Sequence, residues 1–243
     1  MPISERLQSV AGMVTPGLRV ADVGCDHAYL AIYLIKNGIS PHVIAMDVGD
    51  GPLDIAREHV QEAGLNEEIE LRLSDGLGEL HEDEADCVVM AGMGGRLMTE
   101  IMSRGEAVCA NLRELILQPQ SEIPMVRHFL EDNGYRIISE DMVLEDDKYY
   151  PMMKAVHGSM DLEKEVYYRY GRILLREQHP VLRAYLRRER KILKDIRDEL
   201  LKAERTEKVL KRLDELADDI AMSEEAIAIS DEQNPVTIER VIK

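Results

Sequence analysis

Acidic residues and one histidine cluster in a glycine-containing segment near the start of the chain, residues 20–30 (VADVGCDHAYL). A strand pattern runs up to Asp22, Gly24 permits a tight turn, and a helix pattern follows. Gly24 lets the backbone approach a ligand closely, and the start of the following helix supplies N–H donors that have no partner within the helix. The carboxylates of Asp22 and Asp26 and the imidazole of His27 therefore predict a ligand site, although a plain strand–turn–helix junction is the alternative.

The spacing in this segment indicates the type of ligand. The pattern Asp-x-Gly-x-x-x-Ala lacks the Gly-x-Gly-x-x-Gly turn that a dinucleotide pyrophosphate needs for close approach. S-adenosylmethionine carries no phosphate, and it presents an ammonium and a sulfonium cation. An acidic loop suits that ligand better than a pyrophosphate, so we expect Asp22, Gly24, Asp26, His27 and Tyr29 to line its site.

Three further groups follow predicted strands and extend this site. Asp47 lies 23 residues after Gly24, close to the ~20-residue offset of a carboxylate that holds ribose hydroxyls, and Val48 follows it. Asp75 and Gly76 come after the third strand, where a carboxylate can accept from an adenine amino group, although Asp-Gly is also an ordinary turn. The residues after the fourth strand form a glycine-rich turn with room for two substrates to meet: Ala91, Gly92, Met93 and Gly94.

Several other chemistries lack their sequence signals. No P-loop pattern is present, and no Asp-Pro-Pro-Tyr or Asn-Pro-Pro-Tyr follows the fourth strand, which weakens methylation of an exocyclic amine. The three cysteines show no spacing typical of a metal site or a disulfide framework, and none has the setting of a nucleophile. We predict no metal. Of the seven histidines, only His27 lies in the predicted site, and the others are expected to be surface or structural residues.

Alternating strand and helix patterns position these groups in residues 1–158. Apolar strands are expected at 18–23, 42–46, 69–73, 86–90 and 115–117, followed by strands at 135–144 and 150–156 joined by an acidic turn. Repeated strand–helix units with near-continuous apolar strands predict an α/β fold, a Rossmann-like parallel sheet covered on both faces. In such sheets, ligands bind at the carboxyl ends of the strands.

Residues 159–243 show only helix patterns and predict a smaller, all-α domain. One helix is expected over 162–178 and a second over 181–204, and Thr206 begins a third. Heptad spacing interrupted near Thr206 predicts a helical hairpin packed as a short antiparallel coiled coil.

Charge divides along the chain, whose net charge is −17. Residues 163–212 hold 16 Lys and Arg against 9 Asp and Glu, a net charge of +7, which suggests a segment that binds a polyanion. Six cations recur at helical spacing and predict a basic stripe: Arg183, Arg187, Arg190, Lys191, Lys194 and Arg197. The alternative is a solvated helix face balanced by Glu189, Asp195 and Asp198.

The location of the protein is predicted from apolar runs, from the first residues and from cysteine usage. No apolar run approaches the ~20 residues that span a bilayer, and the first residues lack the layout of a signal peptide. Cysteine usage suits a reducing compartment. We therefore expect a cytoplasmic protein without a membrane partner.

The motifs together resemble those of the bacterial tRNA (adenine-N1) methyltransferases that modify adenosine 22 of the D-arm. The resemblance is carried by residues 21–30, by Gly51-Pro52 after Asp47, and by residues 75–77, 91–95 and 115–119. It implies a class I methyltransferase fold, S-adenosylmethionine as methyl donor and tRNA as acceptor, with a coiled-coil extension. The chain departs from the expected pattern at Cys25, Ala31 and Pro151.

The chemistry implied is attack of adenine N1 on a sulfonium methyl group. This ring nitrogen is already nucleophilic, so positioning is expected to supply most of the rate. The product ring carries positive charge near neutral pH, and Asp26 and His27 are the candidates to stabilise it or to accept a proton. Tyr29, Tyr149 and Tyr150 are candidates to stack on the base.

Three alternatives remain open from the residues alone. A methyltransferase acting on a small molecule or a protein explains the first domain but not the basic hairpin. A nicotinamide-dependent oxidoreductase explains Asp47 but not the missing glycine fingerprint. A non-catalytic adaptor would use the coiled coil to bind a partner.

Overall fold

A computed structural model describes residues 3–232. The chain divides between Asp161 and Leu162 into two compact units. Residues 233–243 of the predicted second domain lie outside the described residues. No helix within the described range is long and apolar enough to cross a membrane.

The first unit alternates strands and helices as predicted. Its strands are β1 (Val20–Val23), β2 (Val43–Asp47), β3 (Ile69–Leu73), β4 (Cys87–Gly94), β5 (Glu114–Ser121), β6 (Tyr135–Glu145) and β7 (Lys148–His157). Its helices are α1 (Glu5–Met13), α2 (Tyr29–Lys36), α3 (Asp50–Ala63), α4 (Gly95–Arg104), α5 (Glu106–Asn111) and α6 (Ile123–Asp132). The short helix α5 was not predicted, and β4 and β5 continue several residues beyond their predicted ends.

The seven strands form one sheet in the order β3-β2-β1-β4-β5-β7-β6. Strands β1 to β5 are parallel, whereas β7 runs antiparallel to both β5 and β6. Strand β2 lies on one side of β1 in the sheet, and β4 lies on the other side, so the order of strands reverses at β1. The carboxyl ends of β1 and β4 therefore border the crevice where open α/β sheets bind ligands. The predicted Rossmann-like fold class is confirmed.

Helices cover both faces of the sheet and bury an aliphatic core. On one face, Val20, Ala45 and Val89 pack with residues of α1, α2 and α3. On the other face, Met46 and Met90 pack with residues of α4, α5 and α6. Both faces of the central strands are buried, which explains why their sequences are apolar without alternation.

Helices alone form the described part of the second unit: α7 (Glu165–Tyr170), α8 (Arg172–Arg176), α9 (Pro180–Leu200) and α10 (Glu207–Glu232). The single helix predicted over 162–178 was wrong. Gly171 separates α7 from α8 at φ +91°, a backbone conformation that interrupts a helix and that glycine adopts without strain.

Helices α9 and α10 pack against each other. Leu193 of α9 forms a small apolar cluster with Leu216 and Ile220 of α10. The predicted start of the third helix is present, because the Thr206 hydroxyl accepts from the Val209 N–H at 3.3 Å.

Candidate active site

The loop between β1 and α2 passes through three left-handed residues. Gly24, Asp26 and Ala28 have φ angles of 74°, 53° and 60°. The Gly24 N–H donates to the Met46 carbonyl at 2.8 Å, which fastens the loop over the end of β2. A Cβ at position 24 would collide with the terminal methyl of Met93. The positive φ favours glycine at this position, and a larger residue would also require the flexible end of Met93 to move.

Asp22 is a buried carboxyl group at the end of β1. It is 3% exposed, and its Oδ2 has no hydrogen-bond partner among the described residues. Burial, together with the negative charge of Asp47, raises the pKa of Asp22 to about 7. An unpaired buried carboxylate is unfavourable unless a cation approaches it. The site therefore fits the ammonium group of an amino-acid ligand.

Asp47 joins two of the predicted loops. Its Oδ2 accepts from the Asp26 N–H at 3.1 Å, and its Oδ1 accepts from the Gly49 N–H at 3.0 Å. Each carboxylate oxygen has further acceptor capacity. The neighbouring side chain, Val48, is 72% exposed. A carboxylate beside an exposed apolar side chain fits a nucleoside, with ribose hydroxyls on the carboxylate and the flat ring on the valine.

Asp75 and Gly76 follow β3, as predicted. The Asp75 carboxylate makes a two-point ion pair with Arg104, at 2.7 and 3.1 Å. That guanidinium lowers the pKa of Asp75. Gly76 is buried at φ +64°, and a Cβ there would lie 2.9 Å from Ile101 side-chain atoms. The arrangement fixes the position of the carboxylate and leaves acceptor capacity for an amino group.

The segment predicted as a glycine-rich turn is instead the end of strand β4. This strand continues to pair with β5 past two shifts of register. The residues concerned are Ala91, Gly92, Met93 and Gly94. Gly92 is exposed at φ +85°, whereas Met93 lies against Gly24 and so joins the β1 and β4 ends of the site. The next residue, Gly95, begins α4 where a Cβ would lie 2.7 Å from the Ser121 carbonyl.

Asp26 and His27 lie next to a pair of aromatic rings. The His27 Nδ1 is 3.4 Å from the Asp26 Oδ1 without an aligned hydrogen bond, and no other described residue partners that nitrogen. The His27 ring meets the Tyr29 ring edge-on at 5.8 Å. Tyr29 in turn stacks on His59 at 5.0 Å, and the His59 Nδ1 lies 3.0 Å from the His27 carbonyl.

His59 was missed by the sequence analysis, which placed the histidines other than His27 outside the site. Its position in α3 carried a usable signal. Residues 56 and 60 are buried on that helix, and position 59 borders the same face.

Tyr149 and Tyr150 lie on β7, and neighbouring strand residues point to opposite faces of a sheet. Only one of the two can therefore face a given pocket. The Tyr150 ring lies 5.5 Å from the guanidinium carbon of Arg6, which comes from α1. Arg6 Nη1 also donates to the fully buried Gln118 of β5 at 2.9 Å. Neither Arg6 nor Gln118 was singled out from its residue type or spacing.

The three cysteines are buried, and burial raises the pKa of each thiol, that of Cys109 to about 11. None of the three is therefore a thiolate nucleophile near neutral pH. Within residues 3–232, no three His, Cys, Asp or Glu side chains are grouped to hold a metal ion.

The six cations predicted to form a basic stripe all lie on α9. Three form ion pairs: Arg183 with Asp231 at 3.0 Å, Lys194 with Glu224 at 2.7 Å and Arg197 with Asp198 at 2.8 Å. The other three make no ion pair with any residue that the structure describes: Arg187, Arg190 and Lys191. The positive segment is balanced within its own unit, because residues 162–243 hold 18 Lys and Arg and 18 Asp and Glu.

Comparison with known proteins identifies relatives along nearly the whole chain. Residues 20–225 match the family described as tRNA (adenine(22)-N(1))-methyltransferase. A protein of that name from Bacillus subtilis (strain 168) is 33% identical over 232 residues, which cover 93% of this chain and 98% of the relative.

Solved structures agree with this match. A Streptococcus pneumoniae protein in complex with S-adenosyl-L-methionine superposes with a TM-score of 0.83 at 33% identity, covering 93% of this chain and 100% of the other. M. capricolum TrmK in complex with S-adenosyl-homocysteine superposes with a TM-score of 0.80 at 26% identity, covering 93% and 98% of the two chains. The match extends through both units, and the chain therefore belongs to the tRNA (adenine(22)-N(1))-methyltransferase family.

Proposed function

We propose that this protein transfers a methyl group from S-adenosylmethionine to N1 of adenosine 22 in the D-arm of a tRNA. The observation that carries the proposal is the buried, unpaired carboxylate oxygen of Asp22 below the Gly24 turn, beside Asp47. This arrangement suits a cationic ligand that contains a ribose. Membership of the family supports the tRNA acceptor and the position of the base.

The cofactor site is proposed at the carboxyl ends of β1 to β4. Asp22 would face the ammonium group, and Asp47 the ribose hydroxyls. Val48 would cover the adenine. The amino group of that adenine would donate a hydrogen bond to the Asp75 carboxylate. The remaining proposed contacts come from the loop after β1 and from the ends of β3 and β4: Gly24, Asp26, His27, Tyr29, Gly76, Ala91, Gly92, Met93 and Gly94.

S-adenosylmethionine supplies an electrophilic methyl group when it is bound. The protein's contribution is to hold adenine N1 in line with that methyl group. Methylation leaves positive charge on the ring, so the Asp26 carboxylate in the loop between β1 and α2 would stabilise the developing charge. His27 would alternatively accept a proton from the exocyclic amine.

Tyr29 would stack on the target adenine. Enzymes that act on a base take it out of the helical stack and hold it against aromatic side chains. One face of the Tyr29 ring stacks on His59, so the other would receive the base. For Tyr150, Arg6 lies over one face of the ring in the same way. Tyr149, on the opposite face of β7, is the weaker of the three proposed stacking residues.

The basic stripe on α9 is proposed to contact tRNA phosphates, with Arg187, Arg190 and Lys191 as the contributors that form no ion pair with any described residue. The paired cations Arg183, Lys194 and Arg197 would contribute by exchanging their carboxylate partners for RNA phosphates. We also propose the cytoplasm as the enzyme's location, which a tRNA substrate supports.

Nucleoside mass spectrometry tests the proposed function. Unmodified tRNA transcript is incubated with protein and S-adenosylmethionine, and a transcript with G at position 22 is the control. We expect N1-methyladenosine from the first transcript and none from the second. Asp26→Asn is expected to lower the rate about 10- to 100-fold. Absence of the modified nucleoside would refute the function, and near-normal turnover in both Asp26→Asn and His27→Ala would remove these residues from the chemistry.

A further inference from the structure

Arg6 is a cation with an unusual setting in an acidic unit. Residues 1–161 hold 12 Lys and Arg against 29 Asp and Glu, a net charge of −17. Other guanidiniums near the carboxyl ends of the parallel strands form ion pairs, such as Arg96 with Glu122 and Arg104 with Asp75. Arg6 makes no ion pair with the residues that the structure describes. The Glu145 carboxylate nearby faces its backbone N–H instead, at 3.5 Å.

The Arg6 side chain is held in place by neutral groups. Its Nη1 donates to Gln118 Oε1, and Gln118 is fully buried and donates its own amide to the Pro119 carbonyl at 3.2 Å. The Tyr150 ring lies beside the guanidinium. A guanidinium held by an amide and a ring keeps its full charge and retains N–H donors for a further partner.

The surface beside this guanidinium is exposed at Gly92. A Cβ built on the exposed Gly92 would lie 3.7 Å from Arg6 Nη1 and 3.6 Å from Gln120 Nε2. Two nitrogen donors therefore border the surface above Gly92, in the segment where donor and acceptor substrates are proposed to meet. Two donors and a positive charge, to which no acid in residues 3–232 is paired, fit an anion with several oxygens.

We propose that Arg6, with Gln120 beside it, binds a backbone phosphate of the RNA next to the target adenosine. The inference rests on the proposed function and adds a specificity-determining residue to it. Adenine N1 lies on the Watson–Crick edge, so the base must leave its stack to reach the methyl group, and the flanking phosphate moves with it. A guanidinium fixed beside Gly92 holds that phosphate, and this contact determines which nucleotide enters the active site.

The test compares three single variants of the full chain. Arg6→Gln removes the charge, and Arg6→Lys keeps it. Lys36→Gln removes an equal charge at the exposed end of α2, remote from the carboxyl ends of the parallel strands. Each is assayed for tRNA binding between 50 and 300 mM salt, for the KM of tRNA, and for S-adenosylmethionine affinity by calorimetry.

For Arg6→Gln we expect the KM of tRNA to rise about tenfold and the log–log salt slope to fall by about 1, as for the loss of one phosphate contact. S-adenosylmethionine affinity is expected to be unchanged, and Arg6→Lys should restore most of the binding. A salt slope and KM equal to those of Lys36→Gln would overturn the inference. So would equal losses of tRNA and S-adenosylmethionine binding that Arg6→Lys does not rescue, because they indicate a structural role. If the unaltered protein methylates no tRNA, the proposed function itself fails.

Discussion

Substitution of Asp22 by asparagine is expected to stabilise the ligand-free protein above neutral pH and to weaken cofactor binding. The Asp22 carboxylate is buried, its Oδ2 has no hydrogen-bond partner among the described residues, and burial raises its pKa from 3.8 to about 7. In the unfolded chain, the group ionises near pH 3.8. The folded state therefore loses stability relative to the unfolded state as pH rises above 3.8, and the loss is complete above about pH 7. Asparagine cannot ionise and removes this pH-dependent loss.

The size of the effect follows from the pKa shift. One pKa unit corresponds to ~1.4 kcal/mol, so full ionisation of Asp22 in the folded state costs about 4 kcal/mol. Between pH 5 and pH 8, about 2.5 kcal/mol of that penalty develops. For a protein of this size, such a difference in the free energy of unfolding shifts the melting temperature by roughly 5–10 °C. Any constant effect of the asparagine amide cancels when the two pH values are compared.

The measurement is the melting temperature of both proteins at pH 5, 6, 7 and 8, without and with S-adenosylmethionine. Asp75→Asn is the matched control. The Asp75 carboxylate is exposed, and its ion pair with Arg104 lowers its pKa, so it is ionised throughout this range. We expect the gap between Asp22→Asn and the unaltered protein to widen with pH, and no widening for the control. We also expect Asp22→Asn to lose most of its stabilisation by the cofactor.

Two results would refute this reasoning. A gap of the same size at pH 5 and pH 8 would show that Asp22 ionises in the folded protein as easily as in water. Unchanged cofactor affinity in Asp22→Asn would show that the carboxylate does not meet the ligand's cation.

Two further substitutions test the packing that holds the site. Arg127→Met leaves the buried Glu140 carboxylate without the guanidinium that binds it at 2.7 Å, and we expect a loss of about 3–5 kcal/mol in urea unfolding; a loss below 1 kcal/mol would contradict that expectation. Gly95→Ala places a methyl group 2.7 Å from the Ser121 carbonyl, so we expect about 1–3 kcal/mol of destabilisation and slower methyl transfer. Gly12→Ala, where nothing lies within 4 Å of the added carbon, is the control and should be no less stable than the unaltered protein.

The motifs at the strand ends were predictable because they are local in sequence. Each contains its own strand, turn and helix start, so Asp22, Gly24 and Asp47 could be placed without knowing the tertiary structure. The same holds for the cap at Thr206, where hydroxyl and N–H are three residues apart. The family resemblance drew on the same segments, and it held along both units.

The rest of the site depends on contacts between distant parts of the chain. Arg6 reaches Gln118 across 112 positions, and His59 meets Tyr29 only because α3 packs beside the first loop. No periodicity in either segment identifies such a partner. The break at Gly171 was missed for another reason, because a single glycine inside a helix pattern is often tolerated and only its positive φ separates two helices. The opposed directions of Tyr149 and Tyr150, in contrast, follow from strand alternation.

The balance of charge has a kinetic consequence. The first unit carries the whole net charge of the chain, and the second holds equal numbers of cations and anions. We therefore expect the enzyme and a tRNA to repel each other at a distance, and the α9 cations that we propose to contact RNA to attract it only within about one Debye length. We expect encounter to be slow at low ionic strength and to become faster as salt screens the repulsion. Selectivity among RNAs would reside in how long a docked complex lasts rather than in how often collisions occur.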